Sequence, residues 1–146
     1  MVLEAAKLLG KFQHTVDAKN RIFIPAKFRE NLGESFVIFK SLRDQCIRVV
    51  SDDEWENYIA PLQKLPRELS DNVIQALTDD AASVTPDAQG RIVIPQHLLD
   101  KAGITKNVTV SGRSAYVEIW AEEVYAEKQA ARDLTSMLEQ LSAYGL

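Results

Sequence analysis

The stretch His14-Thr15-Val16-Asp17-Ala18-Lys19-Asn20-Arg21-Ile22-Phe23-Ile24-Pro25 decides how this chain is read, because its pattern comes back once. Thr85-Pro86-Asp87-Ala88-Gln89-Gly90-Arg91-Ile92-Val93-Ile94-Pro95 repeats it at an offset of 70 residues. Carried on without a gap, that offset pairs Gly33 with Gly103, Ser41 with Ser111 and Arg43 with Arg113. It also lays residues 46–50 over 116–120, and 51–55 over 121–125. A motif, a glycine and a helix start that agree in one line mark an internal duplication.

Both copies predict the same elements. A short strand enters the Asp-x-x-x-Arg turn, and Ile22-Phe23-Ile24 and Ile92-Val93-Ile94 form a second strand, β-branched and apolar. Pro25 and Pro95 fit the first helical turn, where a missing N–H costs nothing. The helices at residues 26–32 and 96–102 stop at Gly33 and Gly103. Two strands follow in each copy, at 36–40 with 46–50 and at 108–111 with 116–120. A closing helix then starts near Asp52 and near Ala121, with acids in its first turn as the helix dipole favours. Between the copies, residues 65–79 read as a helix opened by Pro66, with Leu69, Val73, Ile74 and Leu77 on one face. Residues 122–141 read as one long helix.

Bulk properties set limits. The 146 residues are 46% hydrophobic and 26% charged, and no apolar run approaches the roughly 18 residues of a membrane span. Residues 1–10 include Glu4 and Lys7 and lack the apolar centre of a signal peptide. The single cysteine, Cys46, has no partner for an internal disulfide, which suits a reducing cytoplasm and a small hydrophobe on a strand. The net charge of −4 argues at first against a nucleic-acid partner. Its distribution softens that: residues 1–50 carry +4, residues 51–80 carry −6 and the remainder −2. A local basic patch attracts phosphates even on an acidic molecule, because screening removes charges beyond about 8–10 Å.

The chemistry concentrates in Asp17-x-x-x-Arg21 and Asp87-x-x-x-Arg91. Asp in a turn accepts hydrogen bonds from N–H groups a few residues on. Gly90 allows positive φ, and Asn20 at the matching place is the next best residue for it. A carboxylate beside Arg also fixes the guanidinium fork, ready for a guanine edge or a phosphate. The residues alone leave a second reading open, an Asp–Arg pair that only staples a hairpin.

The string His14 to Arg29, with its second Asp87-to-Pro95 copy, resembles the MraZ family, within the wider AbrB-like and SpoVT-like swapped-hairpin DNA-binding domains. The resemblance runs from about Leu9 to about Tyr125. It implies an α+β fold of two tandem AbrB-like β-barrel halves with short helices, a pseudo-dimeric double-split β-barrel. It implies a transcriptional regulator of the division and cell-wall operon, cytoplasmic and nucleoid-associated. Such a protein binds promoter direct repeats in double-stranded DNA as a ring-like homo-oligomer. Asp17, Arg21, Asp87 and Arg91 carry the family signature. Two departures stand out: Asn20 where the first copy usually has glycine, and a start, residues 1–8, longer than the family's.

Lys19 is a further candidate for DNA contact, and Lys11, Lys27 and Arg29 are candidates for phosphate. Arg43 and Arg113 read as structural, and Trp55, Trp120 and Tyr125 as core or subunit contacts. His14 and His97 are not equivalent across the repeat, and no Cys/His spacing suggests zinc. No cofactor, metal or small-molecule substrate is expected, and no nucleophile–base pair or Gly-rich phosphate loop points to catalysis. Met137, Leu138 and Leu141 suit a neighbouring chain or a local core equally. The expected organisation is a first repeat at 9–60, a connecting helix at 61–80, a second repeat at 81–130 and a helical extension at 131–146. The rival class is an AbrB-fold protein scaffold or an antitoxin-like partner binder, in which one motif per chain and a disordered tail are usual.

Overall fold

The structure, a computed structural model, describes residues 7–146, so most of the unusual N-terminal start lies outside the described residues. The first copy forms β1 (Lys11–Thr15), β2 (Arg21–Phe23), α1 (Ala26–Leu32), β3 (Phe36–Lys40), β4 (Ile47–Ser51) and α2 (Asp52–Gln63). The connecting helix is α3 (Arg67–Thr78). The second copy forms β5 (Ala82–Val84), β6 (Arg91–Val93), α4 (Gln96–Lys101), β7 (Asn107–Gly112), β8 (Val117–Ala121) and α5 (Glu122–Ala130), followed by α6 (Leu134–Ser142).

Helix ends follow local chemistry. Pro25, Pro66 and Pro95 sit one place earlier than expected, as the capping residues before α1, α3 and α4, with extended ψ near 140°. Their carbonyls still accept the first helical N–H groups, as from Phe28 to Pro25 at 2.9 Å. Ser51 caps α2 by accepting the Glu54 N–H at 3.2 Å, with Asp52, Asp53 and Glu54 in the first turn. The long helix expected at 122–141 is instead two. Asp133 turns to an extended conformation and its carboxylate accepts the Ser136 N–H at 3.1 Å, which starts α6 afresh.

Six strands make one antiparallel sheet in the order β1-β7-β8-β4-β3-β5, and β2 and β6 make a separate two-stranded ladder. The chain is therefore α+β, as expected. Among the described residues the large sheet stays open, with β1 and β5 at its edges, rather than closing as a barrel. The copies are tandem in sequence but interleaved in space: β1 pairs with β7 of the second copy, and β5 with β3 of the first.

The pairing corrects the ungapped repeat. Ser51 faces Phe36 and Ala121 faces Val108, so β3 and β7 are related by 72 residues while β4 and β8 keep 70. The first hairpin has a connection longer by two, and Ser41 and Arg43 do not occupy the places of Ser111 and Arg113. With that shift the ladders obey one two-fold relation. Val84 opposite Phe36 repeats His14 opposite Val108. Ile22 faces Ile92, and Arg48 faces Glu118, each opposite its own counterpart.

Alternation along β4 and β8 divides the interior. Ile47, Val49, Val117 and Ile119 join Ile22, Ile24, Ile92 and Ile94 in the main core, with Phe28 and Leu32 of α1 and Leu98 and Leu99 of α4. Residues of the opposite parity pack under the other helices. Phe39, Val50, Ile59 and Leu77 form a second cluster with Trp55 and Tyr58, and Cys46, Trp120 and Tyr125 form a third. The expected core roles of Trp55, Trp120 and Tyr125 hold. Burial pushes the Cys46 thiol far up, helped by Glu118, so it stays a neutral hydrophobe.

Candidate nucleic-acid interface

The β2–β6 ladder is anchored from below and presents its other face outward. Ile22 and Ile92 are fully buried, so the alternate positions Arg21, Phe23, Arg91 and Val93 share the opposite face. Arg21 pairs with Val93 and Phe23 with Arg91, which puts the two arginines on one diagonal, about 7–8 Å apart at Cα. Val93 fills the other diagonal and is 57% exposed, a large exposure for valine on a packed ladder.

The same turn precedes each arginine. Asp17 Oδ1 accepts the N–H groups of Lys19 and Arg21, both at 2.9 Å, and its Oδ2 accepts Arg21 Nε at 2.6 Å. Asp87 Oδ1 accepts the N–H groups of Gln89 and Arg91, both at 2.9 Å, and its Oδ2 accepts Arg91 Nε at 3.0 Å. The backbone closes each loop: the Asn20 N–H donates to the Asp17 carbonyl at 3.0 Å, and the Gly90 N–H to the Asp87 carbonyl at 2.9 Å. Asn20 has φ of 59° and Gly90 of 83°, so the position that carries glycine or asparagine is the left-handed one. Each aspartate thus orders its own turn and holds its arginine through Nε, leaving the guanidinium edge beyond Nε for another acceptor.

The two turns also touch. Arg91 Nη1 lies 3.9 Å from Asp17 Oδ2, and the Ile24 and Ile94 N–H groups donate to the Gly90 and Asn20 carbonyls at 2.9 and 2.8 Å. Desolvation alone would raise the Asp17 carboxyl, but the N–H groups of Arg21 and Lys19 and the Arg21 guanidinium hold it below the usual aspartate value. Asp87 is also held low, chiefly by the Arg91 N–H. Both carboxylates are therefore ionised at neutral pH and pair with their arginines.

Asp17, Lys19, Arg21, Asp87 and Arg91 are thereby brought into one surface, with Lys19 exposed at the tip of the first turn. Arg29 joins them from α1, its Nε donating to the Ile24 carbonyl at 2.9 Å and its guanidinium 5.8 Å from the Phe23 ring centroid. Lys27 is set apart, over Phe12 at 5.4 Å, and Lys11 begins β1 at the end away from Asp17, over Tyr125 at 5.6 Å. Arg113 lies well away and donates to buried Glu118 at 2.8 Å, a structural position.

Gln96 takes a part that the motif does not reveal. Its Oε1 accepts Asn20 Nδ2 at 3.0 Å, so the first helical residue of the second copy steadies the turn of the first. That partnership accounts for asparagine at residue 20, since the amide tolerates the left-handed conformation and also gains a contact. Its only trace in the sequence is that residues 20 and 96 both depart from their repeat equivalents, Gly90 and Ala26.

The family model described as MraZ protein matches residues 8–74 and 77–141. A transcriptional regulator MraZ of Caldanaerobacter subterraneus subsp. tengcongensis is 45% identical over 132 residues, covering 88% of this chain and 90% of that protein. One of Acetivibrio thermocellus is 39% identical over 143 residues, covering 94% and 98%. One of Clostridium tetani is 38% identical over 141 residues, covering 94% and 99%. With both repeats matched and nearly full-length relatives at these identities, the chain belongs to the MraZ family.

Proposed function

We propose that this chain is a DNA-binding transcriptional regulator that reads double-stranded DNA with the β2–β6 ladder. The observation that carries the reading is the outward face of that ladder, where Arg21 and Arg91 are each held by an aspartate of their own turn. The major groove of B-DNA, about 12 Å wide, admits a two-stranded β-ribbon. Arginines on a diagonal of about 7–8 Å span roughly two steps of 3.4 Å along a strand. A guanidinium held through Nε by a carboxylate keeps its η edge for the two acceptors of guanine or for a phosphate. Exposed Val93 beside them suits a thymine methyl. Relatives that carry the name transcriptional regulator support the same class of function.

The finer reading follows the family. The chain binds direct repeats in the promoter of the division and cell-wall operon, as a ring-like homo-oligomer in the cytoplasm and on the nucleoid. Lys19 adds a phosphate contact beside Arg21, and Lys11 and Lys27 serve as outlying ones. Linking several weak sites on repeated DNA raises avidity by about 10²–10⁴, which reconciles binding with a net charge of −4. Among the described residues no helix is long and apolar enough to cross a membrane.

A mobility-shift titration against the promoter upstream of its own gene, with scrambled repeats as control, tests the reading. Repeat-specific complexes are expected, weakened by salt and lost in Arg21→Ala and Arg91→Ala, both of which stay folded. A folded, assembled protein that ignores the repeats would instead leave the partner-binding scaffold.

A further inference from the structure

The two turns differ in one chemically important place. Lys19 of the first corresponds to Gln89 of the second, so on the motif alone the first turn carries two cations and the second only Arg91. Arg29 lies where the second turn lacks a charge. A Cβ built on Gly90 would meet Arg29 Cζ at 2.8 Å and its Nε and Nη2 at 2.9 Å, so the guanidinium lies directly against the backbone next to Gln89. The repeat equivalent of Arg29 is Leu99, a buried core residue, so that position supplies no cation to the first turn from the second copy. Asn20 is met by the neutral amide of Gln96 instead.

We propose that Arg29 is a DNA-contacting residue of the second turn, supplied across the pseudo-two-fold by the first copy in place of the lysine missing at Gln89. Each turn then offers two cations, Lys19 with Arg21 and Arg29 with Arg91. The geometry favours this part over simple packing. Nε is committed to the Ile24 carbonyl at 2.9 Å and the guanidinium rests near Phe23, which fixes the fork where an unanchored side chain would sweep. The small residue at 90 is what lets the fork come so near the turn. The inference rests on the DNA reading of the preceding subsection.

The test measures the salt dependence of binding to the promoter fragment for wild type, Arg29→Leu, Gln89→Lys and the double variant, with thermal unfolding as a check on the fold. Arg29→Leu is expected to lower the slope of log K against log salt by about 0.9, the value of one phosphate contact. Gln89→Lys should restore that slope in the Arg29→Leu background by returning a cation to the same turn. An unchanged slope in Arg29→Leu, or weaker binding that Gln89→Lys does not rescue, would reduce Arg29 to a packing residue and overturn the proposal while DNA reading stands. No binding by the folded wild-type protein would overturn the DNA reading itself, and this proposal with it.

Discussion

Arg48 and Glu118 face each other across β4 and β8 at the point where the two-fold relation maps each position onto the other. In a dimer of identical chains such a position faces a copy of itself, so two like charges would meet. Duplication within one chain lets the two copies differ, and here an arginine meets a glutamate. Glu118 is 3% exposed and accepts from Arg113 Nε at 2.8 Å and Trp120 Nε1 at 3.1 Å, with Arg48 Nε 4.0 Å away. Arg48 in turn lies over the Tyr116 ring at 4.2 Å.

Removing one partner from a buried ionic network costs about 3–5 kcal/mol, because the charges left behind stay desolvated. Glu118→Gln is therefore expected to cost about 3 kcal/mol in urea unfolding, with Arg48 and Arg113 losing their common counter-charge. A loss below about 0.5 kcal/mol, as for an ordinary surface change, would mean that water already solvates the network.

The left-handed residues of the two turns should respond differently to substitution. Gly90→Ala places a Cβ at φ of 83°, a conformation that costs an L-residue about 1–2 kcal/mol, and pushes it into the Arg29 guanidinium. Stability should fall by about that amount, with DNA affinity falling as Arg29 is displaced. Asn20→Gly relieves φ and loses only the exposed bond to Gln96, so its net change should stay below about 1 kcal/mol. Chemical unfolding of both variants in parallel checks the contrast. Equal losses would show that the Gln96 contact, rather than backbone conformation, governs the turns.

Much of this was legible in the sequence. The repeated Asp-x-x-x-Arg turns, the proline before each short helix and the glycine after α1 all act within a few residues, where local chemistry decides. Two classes of feature were not. The hairpin of the first copy hides two extra residues, because Ser41/Ser111 and Arg43/Arg113 agree by letter at an offset of 70 although the strands pair at 72. The exchange of β1 and β5 between copies, and the reach of Gln96 and Arg29 to the opposite turn, depend on contacts between residues 44 or more apart, which no local pattern records. The break before α6 left a local signal in Asp133, overridden by the helical periodicity on either side of it.

Acid should loosen the turns. The Asp17 and Asp87 carboxyls are held below the ordinary aspartate value of 3.8 in the folded chain. A carboxyl depressed by folding contributes stability that is complete above its unfolded value and is lost as pH falls through its folded one. Between pH 7 and 5 neither turn should change. Below about pH 4 the unfolding free energy should fall more steeply in wild type than in the Asp17→Asn/Asp87→Asn double variant, which has no proton to take up there. Parallel acid dependence in the two proteins would show that the aspartates hold their turns no more tightly folded than unfolded.

The C-terminal helix offers a last contrast between fold and assembly. Leu134, Leu138 and Leu141 of α6 are 63, 54 and 42% exposed, and the helix contains no buried residue. Apolar area stabilises by about 25 cal/mol per Å² only when it leaves water, and within one chain α6 removes little. Diluted below self-association, a chain ended at Arg132 is expected to unfold in urea within about 0.5 kcal/mol of the full-length protein. Tyr125 and Trp120 remain behind to close the third cluster. A loss above about 2 kcal/mol under dilution would place α6 in the fold of the single chain. Equal stability with a fall in particle mass at higher concentration, read by sedimentation velocity, would assign its apolar row to contacts between chains.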